Sequence, residues 1–388
     1  MAEPDLQGLP DWVKSFGLPA EAVAAIDHYW KPVWEALRDE LGLLPELPRR
    51  PPTAPVPNGA EQLEFEAVRE LEPGPGWRTR FDAMWPAYEA WYLQQGDAAR
   101  PNYPTCRRAL ERHMPELVPT YERIVELAGG GDLAARLLSL YRPPGFVVGC
   151  SQGAWTRGAP ALVRNYDYPV SRLEGIVYLT AWGERRVIGM SDCLWGLLDG
   201  VNDSGLSVSL TFGGRRDVGD GFAIPLVVRY LLETCDNVEQ ARDALARIPV
   251  HAAQNVTLLD ASGAFLTAYV GPGRPPEFHA IAATTNHQGK VDWPEYARAI
   301  RSVERERCVL DLLGDADLDR ERFVAAFLEP PLHSTEYASG FGTIYTAAYF
   351  PTELRVEYRW PGVVWEQSFD DFRESTQTAT FAQGQRAA

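Results

Sequence analysis

Several functional classes are excluded by what the sequence does not contain. No apolar run reaches the roughly 18 residues of a membrane-spanning helix. Positive charge is in deficit: 37 Lys and Arg stand against 53 Asp and Glu, a formal net charge of −16. A general binder of nucleic acid or of anionic membrane needs the opposite balance. The five cysteines, Cys106, Cys150, Cys193, Cys235 and Cys308, show no paired spacing. Such an odd, scattered set points to reduced thiols in a cytoplasmic protein, not to a disulfide frame or a zinc site. The six histidines make no pattern such as His-Glu-x-x-His, so metal chemistry is not expected. Neither a P-loop nor a Gly-x-Gly-x-x-Gly turn follows any strand-like stretch. No cofactor is expected, and acyl-coenzyme A stays open as an acyl donor. The start, Met1-Ala2-Glu3-Pro4-Asp5, is acidic and polar, unlike a secretory leader.

The composition is 45% hydrophobic and 23% charged over 388 residues, enough for one large domain or two ordinary ones. Helical spacing predicts a helix within 10–45, and a proline-rich linker occupies 47–58. Residues 62–70 alternate as a strand would, and helical patterns follow at 77–95, 103–128 and 132–141. From 143 the pattern changes to strands at 145–152, 160–167, 174–182, 185–191 and 205–213. Helices at 225–234 and 237–247, strands between 254 and 285, helices at 293–314 and 318–328, and strands at 341–349, 353–359 and 362–368 complete it. The polar tail from Thr376 is expected to fray. This is not the βαβ rhythm of a doubly wound sheet. The predicted class is α+β, an αββα sandwich preceded by a mainly helical segment. Its parts are an extension at 1–60, a helical pro-segment at 61–149 and a catalytic domain at 150–388.

Chemistry centres on Phe146-Val147-Val148-Gly149-Cys150-Ser151-Gln152. A buried core thiol is the ordinary reading of such a cysteine. Gly149, however, lets the carbonyl ahead of the thiol be approached closely, and Ser151 and Gln152 are polar. A cut before Cys150 would give it a free α-amine, with a pKa of roughly 7.7–8.0. That amine is able to take the proton of a thiol of pKa about 8.5, with no separate histidine.

Downstream, Leu162-Val163-Arg164-Asn165-Tyr166-Asp167 puts Arg164 and Tyr166 on one strand face and Asn165 and Asp167 on the other. Arg164 would favour the thiolate and Asp167 would orient the amine, provided that a bulge or twist brings them together. A strand-end ion pair is the alternative. Gly200-Val201-Asn202-Asp203-Ser204-Gly205-Leu206 is either a turn or the source of a second amide beside the thiol, from Asn202. In Thr284-Thr285-Asn286-His287, Asn286 is either a helix cap or a donor to an oxyanion. Of the aromatic residues near these strands, Tyr166 and Trp195 are the candidates for substrate contact. The reason for Trp195 is its neighbour Gly196, which would admit a ligand.

In this order and spacing, the motifs resemble the acyl-coenzyme A:6-aminopenicillanic-acid acyltransferase family, with bile-salt hydrolases and penicillin V acylases as more distant relatives. The resemblance runs over about 105–350 and includes His113-Met114-Pro115-Glu116-Leu117 and the strand and turn at 254–263. It implies an N-terminal-nucleophile enzyme, cut between Gly149 and Cys150, whose two chains stay together. Cys150 would be the nucleophile and its amine the base. Asp167 and Arg164 would hold them, Asn286 would form the oxyanion hole, and Asn202 would match a second active-site asparagine. The implied reaction is amide hydrolysis or acyl transfer on a small, linear, non-peptide amide. A late catalytic arginine of the bile-salt hydrolase branch has no counterpart in Gly340-Phe341-Gly342-Thr343-Ile344-Tyr345-Thr346. Two other readings stay open: an uncut relative that binds a small acyl ligand, and a Cys-His enzyme using His287 or His333.

Overall fold

The computed structural model describes Gly42, residues 44–48 and residues 60–382. The helix expected within 10–45 and most of the proline-rich linker lie outside the described residues. β1 (Ala60–Arg69) leads into helices α1 (Pro75–Tyr92), α2 (Tyr103–His113), α3 (Val118–Leu127) and α4 (Asp132–Leu138). Six strands follow: β2 (Gly149–Trp155), β3 (Ala161–Asp167), β4 (Ile176–Thr180), β5 (Val187–Asp192), β6 (Gly196–Asn202) and β7 (Ser207–Phe212). Helices α5 (Ile224–Thr234) and α6 (Val238–Arg247) precede β8 (Gln254–Leu259), β9 (Phe265–Val270), β10 (Glu277–His279) and β11 (Ala283–Thr284). The chain closes with α7 (Pro294–Ala299), α8 (Ser302–Gly314) and α9 (Arg320–Ala326). Then come β12 (Thr343–Phe350), β13 (Arg355–Trp360), β14 (Val363–Ser368) and β15 (Ser375–Ala382).

Two predicted helices are broken, each for a local reason. The expected 103–128 helix starts where the Asn102 side chain accepts the Thr105 N–H and ends just ahead of Pro115, whose ring and missing N–H stop it. The expected 293–314 helix breaks at Arg301, which takes a left-handed φ of 54°. The tail is a correction. Instead of fraying, β15 pairs antiparallel with β1 from Ala60 opposite Ala382 to Ala67 opposite Ser375. The signal was the alternation of buried Ala379 and Phe381 with exposed neighbours.

The strands form two sheets. One has nine strands in the order β10-β9-β8-β7-β6-β5-β4-β1-β15, and the other has six, β11-β2-β3-β12-β13-β14. β2 and β3 face β7 across the interior, and α5 covers β6 and β7 from outside. On the far side α8 lies on β2 and β11. Phe323 and Val324 of α9 share an apolar cluster with Trp155, Val163 and Phe350 of the six-stranded sheet. The order of layers is therefore helix, sheet, sheet, helix, an α+β sandwich with helices α1 to α4 lying between β1 and β2 in the chain. Among the described residues, no helix is long and apolar enough to cross a membrane.

His251, 3% exposed, lies beside the stretch that leads into β2, and burial lowers its pKa from 6.5 to about 4. Between these values the unfolded chain binds a proton that the folded chain refuses, so stability falls as the pH drops. The full effect is about 3 kcal/mol. Urea unfolding at pH 7 and pH 4.5 is expected to show a smaller acid loss for His251→Gln than for the wild type. Equal losses would contradict this.

Candidate active site

Cys150 sits at the start of β2, fully buried, with Gly149 opposite Asp167 and Cys150 opposite Tyr166 of β3. A Cβ on Gly149 would come within 3.0 Å of the Asp167 Cβ and 3.2 Å of the Phe341 ring, so any larger residue would have to push these neighbours aside. Arg164 and Asp167 stay on opposite faces of β3, as strand period dictates. No bulge within β3 brings them to one face. The cysteine is instead served from both faces.

On the inter-sheet face, an Arg164 Nη donates to the Cys150 Sγ at 3.4 Å. Arg164 also donates to the Leu198 carbonyl at 3.1 Å and is paired with Asp199 of β6. Asp199 in turn accepts hydrogen bonds from the Tyr345 hydroxyl, at 2.6 Å, and the Tyr349 hydroxyl. Direct pairing of this kind offsets the cost of burying a guanidinium and a carboxylate, although Arg164 Nε is left without a partner. Burial pushes the Cys150 thiol up, and the Arg164 cation pulls it the other way.

On the helix-facing side, Arg305 of α8 is the hub. Its guanidinium donates to the Cys150 carbonyl at 2.5 Å, Ser151 Oγ at 2.6 Å, Asp167 Oδ2 at 3.2 Å, Asn286 Oδ1 at 2.9 Å and the Ile300 carbonyl at 2.8 Å. Thr343 Oγ1 holds the other Asp167 oxygen at 2.7 Å. Burial raises the Asp167 pKa, with Arg305 opposing. Asn286 Oδ1 also accepts the Cys150 N–H at 2.9 Å, which turns its Nδ2 toward the carbonyls of Val148, at 3.3 Å, and Phe212, at 3.2 Å. The Tyr296 hydroxyl donates to the same Val148 oxygen at 2.5 Å.

Cys150, Arg164, Asp167 and Asn286 are thus brought together. Asn202 is not. Its Nδ2 donates to the carbonyls of Leu232, at 3.0 Å, and Cys235, at 2.7 Å, tying down the end of α5. Its Oδ1 accepts the N–H groups of Ser204 and Leu206. The amide is spent on structure. Trp195 is likewise fixed: it is fully buried, with Nε1 donating to the Leu138 carbonyl at 2.8 Å. Gly196 serves packing, not ligand approach, since an added Cβ would meet the Pro225 Cβ at 2.5 Å. Tyr166 lies beside Cys150 with its buried hydroxyl unpartnered. His287 bonds Ser302 Oγ at 2.8 Å and Glu306 Oε2 at 3.1 Å, so both ring nitrogens are engaged away from the thiol.

Sequence reasoning missed Arg305, Asp199 and Tyr296. Arg305 lies in a charged run, yet Ser302, Arg305 and Val309 are the buried positions of α8, at helical spacing. Asp199 was hidden because no strand was expected between 191 and 205, where β6 lies.

The acyl-coenzyme A:6-aminopenicillanic acid acyl-transferase family matches residues 155–363, more than half of the chain. This chain belongs to that family. The matched region begins at Trp155, just beyond Cys150, and contains Arg164, Asp167, Asp199, Asn286, Tyr296 and Arg305. Membership places the chain among acyl-transferring, amide-acting enzymes. No curated protein matches it. Among solved structures it is similar to a conjugated bile acid hydrolase from Clostridium perfringens, with a TM-score of 0.40 and 12% identity, covering 59% of this chain and 96% of that one. A penicillin V acylase from Agrobacterium tumefaciens gives 0.41 and 12%, covering 59% and 90%. A Caenorhabditis elegans orthologue of N-acylethanolamine-hydrolyzing acid amidase gives 0.40 and 15%, covering 59% and 98%.

For this acyltransferase-family chain, Asn202→Ala is expected to cost about 2 kcal/mol or more in urea unfolding, because it strands buried carbonyls and N–H groups. The mass pattern of the purified chain should stay that of the wild type. A neutral effect on stability would mean that the amide acts elsewhere.

Proposed function

We propose that this chain is a self-processing cysteine amidohydrolase or acyltransferase working through an acyl-thioester on Cys150. The observation that carries this reading is the placement of Asp167 opposite Gly149, with Arg164 on the sulfur and Asn286 on the Cys150 N–H. In self-processing, the Cys150 Sγ bonds to the Gly149 carbonyl carbon and the C–N bond breaks. The thiol proton passes to the new amine. Water then adds to the thioester, the S–C bond breaks, and Gly149 leaves as a carboxylate with the thiol restored. Arg305 donates to the Cys150 carbonyl and holds Asp167 at the end of the strand, where the amine would form.

In turnover, the α-amine takes the thiol proton as Sγ attacks the substrate carbonyl. Asn286 Nδ2 donates to the developing oxyanion. The amide C–N bond then breaks, and the leaving amine receives the proton from the α-ammonium group. Water or a second amine resolves the thioester. Asn286 Nδ2 becomes available when the stretch ending at Gly149 withdraws the Val148 carbonyl. That stretch buries Phe146, Val147 and Val148, which favours an apolar acyl group on the substrate. Because the upstream segment contributes β1 between β4 and β15, the two pieces are held together after the cut.

The test uses a panel of straight-chain acyl para-nitroanilides. Acid-quenched wild type is expected to carry the acyl mass on the peptide beginning at Cys150, and Cys150→Ala should lower nitroaniline release to background. Turnover that survives Cys150→Ala, or an acyl group found elsewhere, would overturn the reading. Binding without turnover by an uncut chain would point to a ligand-binding relative.

A further inference from the structure

The structure holds one carbonyl oxygen in the way an oxyanion hole holds its ligand. Val148 O receives the Asn286 amide at 3.3 Å and the Tyr296 hydroxyl at 2.5 Å. Asn286 is fixed in that orientation because its Oδ1 accepts from both Cys150 N–H and Arg305. Tyr296 is fixed by packing. Its ring stacks on Trp293 with centroids 5.0 Å apart, and Phe212 meets it edge-on at 5.5 Å. Both donors adjoin the residue that bears the thiol, and the carbonyl they hold belongs to the segment that the proposed cut detaches. Asn202, the residue expected to give a second amide, has its Oδ1 and Nδ2 committed to backbone groups.

We infer that the Tyr296 hydroxyl is the second oxyanion donor of the mature site, paired with Asn286 Nδ2. The inference rests on the proposed thioester chemistry. When Val148 withdraws, the two donors face the position that a substrate carbonyl takes beside Sγ. Two donors converging on one oxygen are the arrangement that stabilises a tetrahedral intermediate. A phenol suits this task only while protonated. Burial, together with the nearby Cys150 and Asp167, raises the Tyr296 pKa well above 10, so it stays a donor at any working pH.

The test compares wild type, Tyr296→Phe and Asn286→Ala, each as purified full chain, on the best acyl para-nitroanilide of the panel. Intact mass first establishes whether each is cut at Gly149. For cut Tyr296→Phe, kcat is expected to fall about 100-fold to 1,000-fold, the loss typical of one oxyanion donor, with KM within a few-fold. The affinity of the matching acyl aldehyde, which adds to the thiol as a tetrahedral mimic, should weaken in step with kcat/KM. A merely structural role would not couple the two. If Tyr296→Phe is not cut, 3-fluorotyrosine at position 296 keeps the hydroxyl and lowers its pKa, and kcat must then change. A kcat within threefold of wild type in the cut Phe variant, or one unmoved by the fluorotyrosine, overturns the inference alone. A wild type that stays uncut and inert overturns the reading beneath it.

Discussion

The buried Arg305 guanidinium is the constraint on which the site depends. It reaches β2 at Cys150 and Ser151, the carboxylate of Asp167, and the amide of Asn286. A guanidinium presents five donors in a rigid planar fork. That fork sets the spacing of β2, the end of β3 and the stretch that carries Asn286. A charge taken out of water is tolerable only with such complete satisfaction, and removing a partner typically costs about 3–5 kcal/mol. The left-handed turn at Arg301 sets the start of α8. Ser302 and Arg305 then face inward, where an unbroken helix from 294 would have a different phase.

A strand has two faces, and the site uses both. The sulfur meets Arg164 between the sheets, while beneath the helices the Cys150 N–H meets Asn286 and its carbonyl meets Arg305, which also holds Asp167. This separates the group that favours thiolate from the group that would hold an ammonium. Two opposite charges are thereby kept from neutralising each other. The Arg164 charge is balanced deeper in the interior by Asp199 and its tyrosine partners.

Much of this was legible in the sequence because strand period and nucleophile chemistry are local. The apolar run into Gly149-Cys150, the alternation through Arg164 and Asp167, and the strand end at Asn286 each carry their signal within a few residues. Asn202 misled because an Asn-Asp-x-Gly turn looks the same whether its amide faces a substrate or caps a helix across the sheet. Trp195 misled for a similar reason: a glycine beside an aromatic ring signals close approach, but not by what. Arg305, Asp199 and Tyr296 act on the site across sequence separations of 19 to 155 residues, and no local pattern records such contacts. The upstream extent of the fold was hidden too, since β1 completes a sheet whose other strands lie mostly beyond residue 175.

On the proposed function, Cys150 is made an N-terminus by the chain itself. The most direct measurement is the intact mass of denatured, purified protein, taken beside a Cys150→Ala control. Two polypeptides are expected for the wild type, residues 1–149 and residues 150–388, and one uncut chain for the control. A single uncut chain in both would contradict it, since the α-amine that serves as base would then never exist.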